Sequence, residues 1–277
     1  MFPREASKLY QEINVQLTAR SIIRRLGRKD KKAANATAEL EPALRASVPG
    51  RTATTEIAPS WPDPVRNSTA SEFEVDLWTL SSFLLEKIVP VVGTHPYPLN
   101  ELLLMTAAAC RLKPSVVFDW GTHIGVSARI FYECDQAFEL GYEIHSIDLP
   151  PDVAHVEHPG QEHGRLVRGI DKVHLHRGNG VKVALDQWEK LGRPRRPLFF
   201  VDGDHAYESV RDELNEIFST VPDASALAHD TFFQSAESNY NVGPARAVEE
   251  TMERFPSRFR VINSGLGLPG MTLLATM

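Results

Sequence analysis

Long apolar runs are missing from this chain. No stretch reaches the roughly 18 residues that a membrane-spanning helix needs, and the first residues lack the apolar block of a secretory signal. The expectation is a protein without stable membrane insertion, working in the cytoplasm. Cysteine is scarce as well. Cys110 and Cys134 each stand in an apolar segment of helical pattern, so neither a disulfide framework nor a cysteine zinc site is supported. An excess of positive charge is also missing: 30 Lys and Arg against 36 Asp and Glu give a net charge of -6. That balance does not point to nucleic acid as a partner.

What is present begins with a basic arm. Arg20, Arg24, Arg25, Arg28, Lys29, Lys31 and Lys32 crowd together, with a partial helical stripe from Leu9, Ile13, Leu17, Ile22 and Ile23. The expected role is a solvated arm or one that contacts another copy of the chain, making a homo-oligomer. Residues 33–71 are rich in Ala, Thr, Ser and Pro, and their prolines prevent any long helix. Residues 1–72 are therefore expected to form an arm and linker, with Trp61 either anchored on the main domain or exposed, and residues 73–277 the main domain. Apolar residues at helical spacing over 73–92 and 99–112 predict helices that cover a sheet. From residue 116 onward, β-rich and helical segments alternate. Strands are predicted at 143–149, 173–177, 198–201, 224–228, 259–262 and 271–275, and helices at 181–191, 208–219 and 245–254. This rhythm predicts an α/β fold with a doubly wound, mostly parallel sheet.

Polar residues collect at the predicted strand ends: Asp119, Asp148, Asn179, Asp202 and Asp230. Ligands of open α/β sheets bind beyond the carboxyl ends of the strands. After the first strand, Asp119-Trp-Gly-Thr-His-Ile-Gly places Gly121 and Gly125 in a turn before a helix start, where free N–H groups and close backbone approach suit a nucleotide-like ligand. It is not the dinucleotide fingerprint Gly-x-Gly-x-x-Gly, because His123 stands where the second glycine must be. An acid at the strand end repels a pyrophosphate but suits a cationic or amino-bearing ligand, such as the methionine part of S-adenosylmethionine. Asp148 can accept hydrogen bonds from ribose hydroxyls, and Asn179 can contact adenine, so the three positions outline an adenosine site.

The run Val117-Phe-Asp-Trp-Gly-Thr-His-Ile-Gly-Val-Ser resembles the first motif of class I S-adenosylmethionine-dependent methyltransferases. Ser146-Ile-Asp-Leu resembles the second, and Phe200-Val-Asp-Gly-Asp-His-Ala-Tyr-Glu-Ser-Val the fourth. With His229-Asp230-Thr231, the set is similar to methyltransferase family 24, the group of macrocin-type O-methyltransferases and cephalosporin-hydroxylase-like proteins. The resemblance implies a Rossmann-like, seven-stranded sheet with an antiparallel last strand, preceded by an N-terminal helical extension. It further implies that Asp119, Gly121 and Gly125 face the methionine end of the cofactor, with Ser127 of the same motif on the cofactor side. Asp148 is then on the ribose and Asn179 on the adenine side, where relatives more often carry Asp.

On the acceptor side, Asp202 and Asp230 can hold a hard divalent cation such as Mg2+ together with substrate oxygens. Thr231 takes the place where the relatives carry Asn or Asp as a further ligand. Asp204 and His205 are the candidate general bases, Asp204 by resemblance to macrocin-type enzymes and His205 by its unperturbed pKa near neutrality. His229 suits either role. The expected activity is O-methylation of a small-molecule hydroxyl, on a sugar or another natural-product intermediate. The alternatives are an NAD(P)-dependent oxidoreductase on a similar sheet and a non-catalytic partner subunit of the same fold. His155, His158 and His163 fit no specific zinc spacing and are expected to border the acceptor. His174 and His176 are expected to be packed or solvated, not ligating.

Overall fold

The central strands at residues 116–120, 198–201, 225–229 and 271–275 are buried along their whole length because both of their faces are covered. The structure, a computed structural model, describes residues 61–150, 153, 162–235, 237 and 240–277. The basic arm, most of the Pro-rich linker, His155 and His158 lie outside the described residues. The elements in order are α1 (Leu77–Phe83), a π-helical turn (Leu84–Ile88), α2 (Val89–Val92), α3 (Leu99–Leu112), β1 (Val116–Trp120), α4 (Val126–Phe138) and β2 (Glu143–Asp148). They continue with a 3-10 turn (Arg165–Val167), β3 (Val173–Arg177), α5 (Gly180–Lys190), β4 (Leu198–Val201), α6 (Tyr207–Thr220), β5 (Ser225–His229), α7 (Gly243–Arg254), β6 (Arg260–Asn263) and β7 (Met271–Ala275).

The seven strands lie in the order β3-β2-β1-β4-β5-β7-β6. β1 pairs in parallel with both β2 and β4, and β7 is antiparallel to both β5 and β6. Every residue of β1, β4, β5 and β7 is buried, whereas β3 and β6 alternate as edge strands do. Successive side chains point to opposite faces, and the core divides accordingly. Val117, Ile144, Phe200 and Leu273 pack on one face with Phe83, Met105 and Phe131. Phe118, Ile147, Phe199 and Leu274 pack on the other with Trp188, Leu214 and Phe218. The predicted doubly wound sheet with an antiparallel last strand is the observed one.

The predicted helix over 73–92 starts later, at Leu77, because Asp76 takes an extended conformation and its carboxylate accepts from Trp78 N–H, an N-cap worth about 1 kcal/mol. It also changes pitch midway. Pro90 has no N–H to offer the carbonyl four residues back, and Val89 N–H bonds Leu84 O, five residues back, as in a π-helix. Trp61 meets the ring of Phe83 edge-on at 5.7 Å, and Arg111 donates to Ala70 O, so residues 61–76 lie against α1 and α3. No helix among the described residues is long and apolar enough to cross a membrane.

Strand order reverses between β1 and β4. In open α/β sheets the crevice beyond such a reversal is where ligands bind, and Asp119 and Asp202 stand there.

Candidate functional site

Asp119 is wholly buried at the end of β1. Its register partner on β2 is Ser146, whose hydroxyl donates to Asp119 Oδ2 at 2.7 Å and lies 2.8 Å from Thr122 Oγ1. Burial pushes the carboxyl up to about 7; the hydroxyls of Ser146 and Ser127 pull it down, and the carboxylates of Asp202 and Asp148 push it up further. Asp119 Oδ1 is buried without a hydrogen-bond partner. A buried acceptor left in this state carries a desolvation cost that a donor from a ligand relieves.

The turn after β1 is built by its two glycines. Gly121 has φ 90°, and a Cβ there would lie 1.9 Å from the carbonyl oxygen of Asp202. Gly125, φ 89°, precedes the first residue of α4. His123, at the position a pyrophosphate motif gives to glycine, takes the left-handed conformation with φ 46°. Its N–H points to Asp148 Oδ2 at 3.2 Å.

Asp148, at the end of β2, also accepts from Leu149 N–H at 2.9 Å, and His163 Nε2 lies 3.3 Å from its Oδ2. His163 is thus beside the expected ribose carboxylate. Asn179 is exposed and caps α5, accepting from Lys182 N–H at 3.1 Å. Its adenine role would share that same oxygen.

At the ends of β4 and β5 a second cluster forms. His229 Nδ1 lies 2.9 Å from Asp202 Oδ1, and His229 Nε2 lies 3.0 Å from Glu101 Oε2. Burial alone would lower the imidazole pKa; the Asp202 charge and hydrogen bonds to Asp202 and Glu101 outweigh it and hold the ring well above its ordinary value. Tyr97 donates to the other Asp202 oxygen at 2.5 Å and meets His229 edge-on at 5.0 Å. Asp230 takes φ 58°, a conformation that Asp tolerates better than most residues. Its carboxylate accepts from Tyr240 O–H at 2.9 Å and Asn241 Nδ2 at 2.7 Å, and lies 2.8 Å from His205 Nδ1. Burial would raise it, but His205 and His229 hold it below the usual carboxylate range.

Asp202, His205 and Asp230 each bring one ligand atom within 4.8 Å of the others. Two carboxylates and an imidazole are a donor set that fits a divalent cation, and one with more tolerance for nitrogen than Mg2+. Thr231 stands apart from this set: its hydroxyl is buried at 2.7 Å from Thr272 Oγ1 on β7. Asp204 is exposed and faces the entry of α6, where it accepts from Ala206 N–H at 3.0 Å and Ser209 Oγ at 2.6 Å. The Ser209 and Ala206 bonds hold its carboxyl below the usual range. A weak base results, whereas His205 is half-buried and oriented by Asp230.

Sequence reasoning missed Glu101, Tyr97, Tyr240 and Asn241. A signal for Glu101 existed: it falls with Met105 and Ala108 on the buried stripe of α3, an acid at a core position. Tyr97 stands between two prolines with no periodicity to mark it. A cavity of about 480 Å³ is lined by Glu72, Phe73, Asn100, Leu104, Ile262 and Ser264 among others, and none of the strand-end acids lines it.

Residues 118–231 match a family described as a methyltransferase domain. No protein of curated function matches the sequence. Among solved structures, the chain is similar to cofactor-bound Rv0187 from MTB, at 14% identity and a TM-score of 0.49, covering 73% of this chain and 96% of that one. It is also similar to a putative O-methyltransferase from Klebsiella pneumoniae, at 17% identity and a TM-score of 0.45, covering 85% and 94%. A third is the SAH-bound methyltransferase PaMTH1 from Podospora anserina, at 16% identity and a TM-score of 0.44, covering 64% and 77%. From Phe118 in β1 to Thr231 just beyond β5, this chain is similar to the methyltransferase-domain family.

Proposed function

We propose that the protein transfers the methyl group of S-adenosylmethionine to a hydroxyl of a small molecule. The observation that carries this reading is the pairing, across the strand reversal, of a buried acid with a vacant acceptor atom, Asp119, and an acid–imidazole cluster, Asp202–His205–Asp230. The first suits the ammonium of the methionine moiety. The second suits a hydroxyl that must lose its proton.

In this reading the hydroxyl oxygen attacks the methyl carbon in line with the sulfur, the carbon–sulfur bond breaks, and its electron pair stays on sulfur. His205 Nε2 takes the hydroxyl proton while Asp230, 2.8 Å from Nδ1, fixes the ring and balances the imidazolium. His229, clamped between Asp202 and Glu101, holds the Asp202 carboxylate in place. Asp202 and Asp230 would hold a divalent cation, which when bound lowers the pKa of a hydroxyl beside it. A second use of His205, as a third ligand, is favoured by its place in the same 4.8 Å group. A ligating imidazole cannot also take the proton.

Calorimetric titration of the full chain with S-adenosylmethionine and S-adenosylhomocysteine tests the cofactor. No binding of either would overturn the reading, and binding of NADH instead would favour the oxidoreductase. Turnover before and after exhaustive chelation tests the cation: unchanged turnover removes it from the mechanism and leaves His205 as base. A sugar or other natural-product hydroxyl in the cytoplasm is the acceptor class to screen first.

A further inference from the structure

On the face of the sheet covered by α5, a second cluster of imidazoles stands away from the strand ends. His145 on β2 and His174 on β3 are direct register partners, and His176 follows two residues along. With Glu143, also on β2, they share one face, since side chains two apart on a strand point the same way. The ring of His145 stacks on His176 with centroids 5.1 Å apart and an angle of 6°, and lies 4.8 Å from His174. Three imidazoles gathered at a sheet edge make a poor apolar core.

We infer that Glu143, His145 and His174 form a binding site for a zinc-like divalent transition-metal ion, with His176 as the partner that orients His145. Glu143, His145 and His174 each place one ligand atom within 4.8 Å of the others. A tetrahedral zinc with bonds of about 2.0–2.1 Å sets its ligands roughly 3.3 Å apart; Glu143 Oε2 and His174 Nε2 stand 3.2 Å apart. His145 Nδ1 lies 3.0 Å from His176 Nε2, while His145 Nε2 is buried with no hydrogen-bond partner. One ring nitrogen tied to a neighbour and the other left bare is the state of a ligating histidine without its ion. Glu143 and the half-buried His174 give the ion a route from solvent. Such an ion would tie the edge strand β3 to β2, independently of the methyl-transfer reading.

The test uses the untagged full chain, stripped with chelator and titrated calorimetrically with Zn2+ near pH 7.5. Because Asp202, His205 and Asp230 can take zinc too, the decisive quantity is the equivalent that persists in Asp230→Asn and is lost in His174→Ala and in Glu143→Gln. Both of these replaced side chains reach solvent, so the variants are expected to fold. His176→Ala should weaken the same equivalent by about 10–100-fold. Zinc at roughly a hundredfold excess over Kd should raise Tm by about 5 °C in Asp230→Asn and not in the double variant Asp230→Asn/His174→Ala. Equal zinc uptake by wild type and His174→Ala would overturn the site. So would no uptake by the wild type at tens of micromolar, which leaves a stacked histidine ladder only.

Discussion

Glu101 and His229, 128 residues apart in sequence, are buried face to face, with His229 Nε2 3.0 Å from Glu101 Oε2. The other Glu101 oxygen accepts from Gly270 N–H at 2.7 Å. One side chain on α3 therefore anchors the end of β5 and the turn that enters β7. Removing one partner of a buried charged pair leaves the other uncompensated, at a cost of roughly 3–5 kcal/mol. Glu101→Ala should lose that much stability in urea denaturation. Glu101→Gln keeps an acceptor for Gly270 and should lose clearly less.

Cofactor affinity should depend on pH through Asp119. Its carboxyl titrates at about 7, against 3.8 for the ordinary group, because it is buried. An ammonium or sulfonium prefers the carboxylate, so below about pH 7 a proton must leave on binding. The Kd of S-adenosylmethionine should fall by up to tenfold per pH unit between pH 5.5 and 7 and level off above. Asp119→Asn should flatten this profile and weaken binding throughout.

The same group sets a stability trend of known sign. A carboxyl whose folded pKa is raised favours the folded state while protonated, so its contribution is lost as pH rises from about 4 through about 7. Without cofactor, Asp119→Asn should therefore raise Tm at pH 8 relative to wild type and change it little at pH 4. Differential scanning calorimetry at the two pH values checks this.

His205 and Asp204 are neighbours with opposite expected phenotypes. His205→Ala removes the ring held by Asp230 and should lower turnover by about 10²–10⁴-fold with cofactor Kd unchanged. Asp204→Asn weakens the acceptor for Ala206 N–H and the Ser209 hydroxyl, and should cost about 1 kcal/mol of stability with turnover within a few-fold. Paired kinetics and urea melts separate them.

Gly121→Ala should be among the most damaging single-atom changes in the chain. The position has φ 90°, and the added Cβ would stand 1.9 Å from a backbone oxygen that no side-chain rotation can move. A loss on the order of 3 kcal/mol or more is expected, read as a shift of the urea midpoint.

Much of this was legible in the chain itself because parallel βαβ units put every strand's end on one edge. Asp119, Asp148, Asp202 and Asp230 could be placed together from the order of apolar runs alone. What escaped was either a partner brought in by tertiary packing, as Tyr97 is to Asp202, or the local use of a polar side chain. Asn179 and Asp204 read as ligand-facing residues, yet both also serve a helix start, and nothing in their spacing ranks the two uses. Thr231 looked like a metal-side residue by its place after Asp230, but which way it turns depends on Thr272, a residue of β7. His174 and His176 look like plain strand residues until β2 sets His145 beside them.

The contact between Gly121 and the Asp202 carbonyl has one more consequence. β1 carries the donor half of the proposed reaction and β4 the acceptor half, and they touch through main chain with no side chain between them. In the proposed reaction the two loops that carry the donor and acceptor sides would thus be held at a spacing fixed by main chain, which no substitution that leaves Gly121 in place can widen by inserting a side chain between them.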